Sequence, residues 1–130
     1  MTRSVDLALG GALGAMAMAA LVAVAADSPT MDPEKLSPQY YGVRLDNDRV
    51  RVLEWRLKPG EKENMHSHPE GVVIVLSDAT VKSTAPDGTS AINTMVNGDV
   101  KWRNVISHSV ENVGSTEAHV LAVYLKRDTK

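Results

Sequence analysis

The chain has 130 residues, with 14 lysine and arginine residues against 16 aspartate and glutamate residues and a formal net charge of −2. This length allows one domain, and the absence of any basic run argues against nucleic acid as a partner, because phosphate binding needs clustered cations. Cysteine is absent, which excludes disulfide bonds, thiolate metal ligands and a cysteine nucleophile.

The N-terminal segment is predicted to direct export. One arginine precedes a run of apolar and small residues from Leu7 to Ala26, which closes on Ala-Val-Ala, the small-x-small pattern that signal peptidase reads. We therefore expect residues 1–25 to be a signal peptide, cleaved after Ala25 or Ala26, and the mature protein to be periplasmic or secreted. The run is also long enough for a bilayer, which needs roughly 20 apolar residues, so the alternative is an uncleaved anchor. No other membrane contact is predicted.

The rest of the chain is predicted to be an arm followed by one all-β domain. Residues 26–38 are rich in Pro, Ser and Asp without an apolar period, which is typical of a linker or extended arm. From residue 39 to 130, short segments enriched in Val and Thr alternate with turn sequences such as Pro-Asp-Gly at 86–88 and Asn-Gly at 97–98. Helical spacing is not sustained there. This pattern predicts an antiparallel sandwich or small barrel.

Two of the four histidines stand in the sequence MHSHPEG, residues 65–71. Because successive side chains of a strand point to opposite faces, His66 and His68 would lie side by side on one face of a strand. His108 follows shortly after the predicted strand DVKWR, so its own strand could lie opposite the pair. Three neutral imidazoles suit a divalent transition metal such as Fe, Mn, Zn, Ni or Cu and leave coordination positions open.

With these residues placed, the chain resembles a small single-domain cupin, a jelly-roll β-barrel. The first cupin motif has a glycine, five residues and His-x-His, and the second has a glycine, a turn, a histidine and an asparagine. The matching residues are Gly60, His66 and His68 in the first motif and Gly98, His108 and Asn112 in the second. The resemblance covers roughly residues 40–126 and implies a metal site formed by the three histidines. It also implies a homodimer that pairs through sheet edges.

The chain departs from the first motif where the family has its metal-binding glutamate. Val72 stands at that position, and the resemblance implies that its side chain points into the barrel. Glu70 is the nearest substitute and a further candidate ligand, although a carboxylate in a Pro-Glu-Gly turn usually faces solvent. Some cupin oxygenases bind iron through three histidines, so the loss of the glutamate leaves catalysis open.

His119 is the fourth histidine and the other further candidate for the metal site. It alternates in phase with Leu121, Val123 and Leu125, the more apolar phase of its strand, so we expect it to point into the barrel. We favour a hydrogen-bonded structural histidine, since one partner satisfies it. The alternative is a substitute ligand or an acid/base group behind the metal.

The function hypotheses differ in what the metal does, because a fold does not select a function. The first is a dioxygenase-type enzyme acting on a small molecule at the barrel mouth, with the metal held by the three histidines. The second is a non-catalytic module that binds a metal or a small ligand, and the third is a barrel with a structural metal. No catalytic residue is assigned, since Glu54, Glu70 and His119, the candidate bases, are not convincingly placed.

Overall fold

The computed structural model describes residues 31–127. Within this range the chain has one short helix, one 3₁₀ turn and nine strands. In chain order these elements are α1 (Pro33–Leu36), the 3₁₀ turn (Pro38–Tyr40), β1 (Tyr41–Asp46), β2 (Val50–Leu57), β3 (His66–His68), β4 (Gly71–Val75), β5 (Ala79–Thr84), β6 (Ser90–Met95), β7 (Val100–Arg103), β8 (Ile106–Asn112) and β9 (Ala118–Leu125).

The strands form two antiparallel sheets, as the strand pattern predicts. The larger sheet has the order β1-β2-β9-β4-β7 and the smaller one the order β3-β8-β5-β6. Because most neighbours in each sheet are distant in sequence, segments from both halves of the chain meet between the sheets. The fold is therefore able to bring β3 and β8 together, the two strands that carry the motif histidines.

Strand β2 shows how the sequence builds the core. Leu53, Trp55 and Leu57 alternate with polar residues and are buried, whereas Arg56 is exposed. Each such side chain contributes roughly 1.5–3 kcal/mol when it is removed from water. The two-residue period of β2 thus fixes which face turns to the core, although Arg51, in the same phase, is partly buried at the start of the strand.

The turn after β8 is held by Asn112, the last residue of the second motif. Its buried side-chain amide donates hydrogen bonds to the carbonyl oxygens of Leu57 and Thr116, both at 2.8 Å, and its side-chain oxygen accepts one from the Gly114 N–H at 3.0 Å. One side chain therefore satisfies three backbone groups of two loops. This asparagine is a structural anchor and not part of the cavity.

Part of the segment predicted to be an arm is ordered against the domain. Glu34 forms an ion pair with Arg51 at 2.7 Å, and the carbonyl oxygen of Met31 accepts a hydrogen bond from the N–H of Ser67 at 2.8 Å. The prediction of an extended arm over residues 26–38 is wrong where α1 forms, at Pro33–Leu36, and where the 3₁₀ turn begins, at Pro38, because short Pro-initiated turns leave no apolar period in the sequence. The residue at the start of this segment is therefore hydrogen-bonded to the middle residue of β3.

The predicted signal segment and the first residues of the predicted arm lie outside the described residues. Between residues 31 and 127, no helix has the length and hydropathy to cross a membrane.

Candidate metal centre

The pairing of β3 with β8 brings the three motif histidines together. His66 lies directly opposite His108 in the register of these antiparallel strands, and His68 follows on the same face of β3. The ring centroids are 4.5 Å apart for His66 and His68, 4.8 Å for His66 and His108, and 5.1 Å for His68 and His108. The predicted juxtaposition of the three rings is confirmed.

Each ring is oriented by a hydrogen bond at its Nδ1 atom. The partners are the backbone carbonyl of Asn64 for His66 at 2.7 Å, the hydroxyl of Tyr124 for His68 at 2.7 Å, and the hydroxyl of Ser83 for His108 at 2.9 Å. Such bonds fix both the ring plane and the protonation of the other nitrogen, as they do around metal-bound histidines. The Nδ1–H of His66 donates to a carbonyl, so its Nε2 atom carries the lone pair.

Burial keeps all three rings neutral, which is the form that binds a metal. His66 and His68 are only 1% and 4% exposed. Burial lowers the pKa of each ring, for His108 to about 4, and the positive charge of Arg103 lowers the pKa of all three as well. At neutral pH the cluster therefore presents nitrogen lone pairs and no positive charge of its own.

The geometry of the donors fits a transition-metal ion. The Nε2 atoms of His66 and His68 are 2.8 Å apart, and the ligating atoms of all three histidines lie within 4.8 Å of one another. Two imidazole nitrogens about 2.1 Å from one cation and at right angles to each other would be about 3 Å apart. Three neutral nitrogens suit Fe, Mn, Zn, Ni or Cu better than Mg²⁺ or Ca²⁺, which prefer oxygen ligands.

A buried glutamate beside this cluster is the site residue that sequence reasoning missed. Glu63 is 1% exposed, and its Oε2 atom lies 3.3 Å from Nε2 of His66. The indole N–H of Trp55 donates to Oε1, and the hydroxyl of Tyr41 donates to Oε2 at 3.2 Å. Burial raises the pKa of Glu63 to about 7, while these two hydrogen bonds act in the opposite direction.

The sequence around Glu63 contains only a weak signal for this role. The residue lies between the first-motif glycine and His-x-His, in a segment held by an isolated bridge between Lys62 and Glu111 and by a 2.8 Å bond from the Glu63 N–H to the carbonyl of Val110. No alternation marks which side chains of this segment point inward. The usable signal is its spacing of three residues from His66.

Neither Val72, at the position of the motif glutamate, nor Glu70, the nearest carboxylate to it, faces the cluster. Val73 and Val75 line the cavity between the sheets, so the expectation that Val72 points inward is wrong by one residue of strand phase. The carboxylate of Glu70 is 3.0 Å from the guanidinium of Arg127 at the surface, as a turn position predicts. Glu63, with its pKa raised to about 7, is instead the acidic side chain that lies beside the cluster.

His119 lies on the outer face of β9, so the expected inward phase is wrong. Val120 and Ala122 line the cavity, and Nε2 of His119 instead donates to the Glu54 carboxylate at 2.7 Å. The environment is that of a hydrogen-bonded structural histidine, the interpretation favoured from the sequence. The phase was misread because β9 is apolar on both faces, so hydrophobicity does not select the inner one.

A cavity of about 330 Å³ opens beside the cluster between the two sheets. His68 and His108 form part of its wall, and most of the remaining wall is apolar, from valines of β4, β5, β8 and β9. Both tryptophans of the chain, Trp55 and Trp102, also line it. A concave, mostly apolar space with a few convergent polar groups is the usual form of a small-molecule site.

Comparison with known proteins agrees with this architecture. No family model matches the sequence. The chain is 31% identical over 86 residues to the β-alanine degradation protein BauB of Pseudomonas aeruginosa, and the alignment covers 65% of this chain and 90% of that protein. It is also similar to a cupin domain from Bordetella pertussis, with 29% identity, coverage of 67% of this chain and 92% of that chain, and a TM-score of 0.62. The chain belongs to the cupin superfamily.

A more distant structure supports the same fold for this cupin. A double-stranded β-helix domain protein from Klebsiella pneumoniae matches 69% of this chain and 78% of its own, with 19% identity and a TM-score of 0.54. At that identity the likeness concerns the fold alone. The predicted cupin jelly roll is thus confirmed.

Proposed function

We propose that this cupin is a metal-dependent enzyme that converts a small organic molecule in the cavity between its sheets, with oxygenase chemistry as the reaction type. The observation that carries this proposal is the convergence of three neutral imidazoles, two of which, His68 and His108, line that cavity. A divalent transition metal held there by His66, His68 and His108 would supply Lewis acidity and, in the case of iron, redox chemistry.

The surrounding side chains support the proposal because they hold the ligands in place. Tyr124 and Ser83 fix the rings of His68 and His108 through their Nδ1 atoms. Glu63 lies beside His66, where its ionised form would partly balance a bound cation, and the donors on Trp55 and Tyr41 keep its carboxylate in position. A carboxylate with no such role would be costly to bury.

The cavity supports a small-molecule substrate. Its walls are mostly apolar, and an apolar surrounding strengthens electrostatic interactions next to the histidines. The relative from Pseudomonas aeruginosa is named for β-alanine degradation, and a molecule of that size would fit within about 330 Å³. We propose a substrate of comparable size for this cupin.

Oxygen consumption tests the proposal. The Fe(II)-loaded protein would be offered thiols, diketones and phenols in an oxygen electrode. We expect substrate-dependent uptake in the parent, no uptake in His108→Ala, and parental uptake in the matched control His119→Ala. No uptake with any compound, together with stabilisation by one of them, would instead support the non-catalytic binding module.

We also propose that the enzyme acts outside the cytoplasm, on the basis of the apolar segment that ends in Ala-Val-Ala. The N-terminal sequence of the protein recovered from the periplasm or medium is then expected to begin at Ala26 or Asp27. Recovery of the intact N-terminus in the membrane fraction would indicate an uncleaved anchor, and recovery in the cytosol would contradict export.

A further inference from the structure

Arg103, the last residue of β7, lines the cavity without an acidic partner. Its side chain is partly buried, and its Nε atom is buried without a hydrogen-bond partner among residues 31–127. Its guanidinium carbon lies 5.6 Å from the centroid of the Tyr124 ring, in cation–π contact. The guanidinium therefore lies over the tyrosine ring, and its Nε–H group has no partner among residues 31–127.

Gly71, the first residue of β4, lies between Arg103 and Tyr124 in the sheet. In the sheet, Gly71 pairs with Arg103 on one side and with Tyr124 on the other. A Cβ atom at this glycine would collide with the backbone carbonyl of Val123. Arg103 thus contacts the Tyr124 ring across a position of β4 that carries no side chain.

Arg103 differs in its charge partners from Arg51, the other partly buried arginine of residues 31–127, because Glu63 in the same cavity wall acts on Arg103 only from beyond ion-pair distance. Arg51 has the Glu34 carboxylate at 2.7 Å, whereas no carboxylate within residues 31–127 forms an ion pair with Arg103. Leaving a charge buried without a partner is destabilising. The field of Arg103 reaches the whole site, since it contributes to the lowered pKa of all three motif histidines.

We propose that Arg103 binds the carboxylate group of the substrate, so that the substrate class is small carboxylates with an apolar body. This inference rests on the proposed function, because it names the substrate of the same cavity. The two parallel N–H groups of a guanidinium match the two oxygens of a carboxylate. The apolar part would lie against the valine wall, of which Val73 and Val81 are members.

A carboxylate fits this site better than a phosphate ester. One guanidinium supplies a two-oxygen fork, while a phosphate carries more charge and more acceptor oxygens than Arg103 alone can satisfy. The neighbouring cation on β7, Lys101, has a side chain that is 59% exposed and lies 3.7 Å from the Asp99 carboxylate. Lys101 is therefore the matched control, since it lines the same cavity from the same strand but already has a partner.

The experiment compares butyrate with its uncharged analogue butyramide on the protein as purified. Both tryptophans line the cavity, so intrinsic fluorescence reports binding directly. We expect butyrate to bind more tightly than butyramide, Arg103→Gln to weaken butyrate binding at least about tenfold, and Lys101→Gln to change it less than about twofold. Arg103→Lys keeps the positive charge but loses the two parallel N–H donors, so its butyrate affinity should lie between those of the other two variants.

Two controls separate this inference from the proposed function. Circular dichroism melts confirm that the arginine variants are folded, and butyrate binding is repeated on His108→Ala. Butyrate binding that survives Arg103→Gln but is lost in His108→Ala would place the carboxylate on the metal and overturn the inference, as would equal affinity for butyrate and butyramide. Arg103-dependent butyrate binding by a protein that takes up no metal even after incubation with Fe(II), Mn(II) or Zn(II) would uphold the carboxylate site and overturn the proposed enzyme.

Discussion

The inner and outer faces of the barrel give histidine two different roles. On the inside, His66 and His68 are buried, have hydrogen bonds at Nδ1, and turn their Nε2 atoms towards each other. On the outside, His119 uses its Nε2 atom in a bond to the Glu54 carboxylate. The difference shows that residue type alone does not make a candidate ligand: the Nε2 atom must also face the Nε2 atoms of other histidines, as it does on the inner face.

The largest expected effect separates the two faces through metal-dependent stability. With free Zn²⁺ about 1,000-fold above its dissociation constant, the parent should gain about 4 kcal/mol in unfolding free energy. His66→Ala should lose this gain, because two imidazoles remain, whereas His119→Ala should keep it. Urea unfolding with and without Zn²⁺ measures the gain in unfolding free energy for each variant. Equal gains in His66→Ala and His119→Ala would show that the inner and outer histidines do not differ in metal binding.

Replacing the carboxylate that lies beside a histidine on each face sharpens the comparison. Glu63→Gln removes the negative charge beside His66 while keeping side-chain volume, and we expect metal affinity to fall about 10- to 100-fold. Glu54→Gln, which alters the carboxylate bonded to His119, should leave metal affinity unchanged. Competition with a chromophoric chelator gives the metal dissociation constant of each variant. A parental affinity in Glu63→Gln would show that its charge does not act on the site.

A smaller effect is expected from the groups that orient the rings. Tyr124→Phe and Ser83→Ala each delete the hydroxyl bonded to one Nδ1 atom, of His68 and His108 respectively. Each should lower metal affinity by about tenfold and lower the metal-free unfolding free energy by about 0.5–1.5 kcal/mol. The same competition assay applies, and unchanged affinity in both variants would mean that the rings are held by packing alone.

The sequence predicted the fold and the histidine cluster because each depends on a local pattern. The alternation in HSH places His66 and His68 on one face whatever the rest of the chain does. Placing His108 opposite them required the order of the strands, which the resemblance to cupins supplied. The register then pairs His66 directly with His108.

The parts that the sequence did not predict depend on strand phase and on irregular backbone. Glu63 sits in a segment without period, and Arg103 needed the register of β7 on β4 to be known. His119 and Val72 belong to strands with apolar residues on both faces, where hydrophobicity cannot say which face is inside. A shift of one residue reverses such a prediction.

The metal content of the protein purified without a histidine tag tests the central claim most directly, in the parent and in His108→Ala. The claim is that β3 and β8 contribute their histidines to a single cation site. We expect one transition-metal ion per chain in the parent and a large loss in His108→Ala. A full equivalent of metal in His108→Ala, or none in the parent even after incubation with Fe(II), Mn(II) or Zn(II), would contradict it.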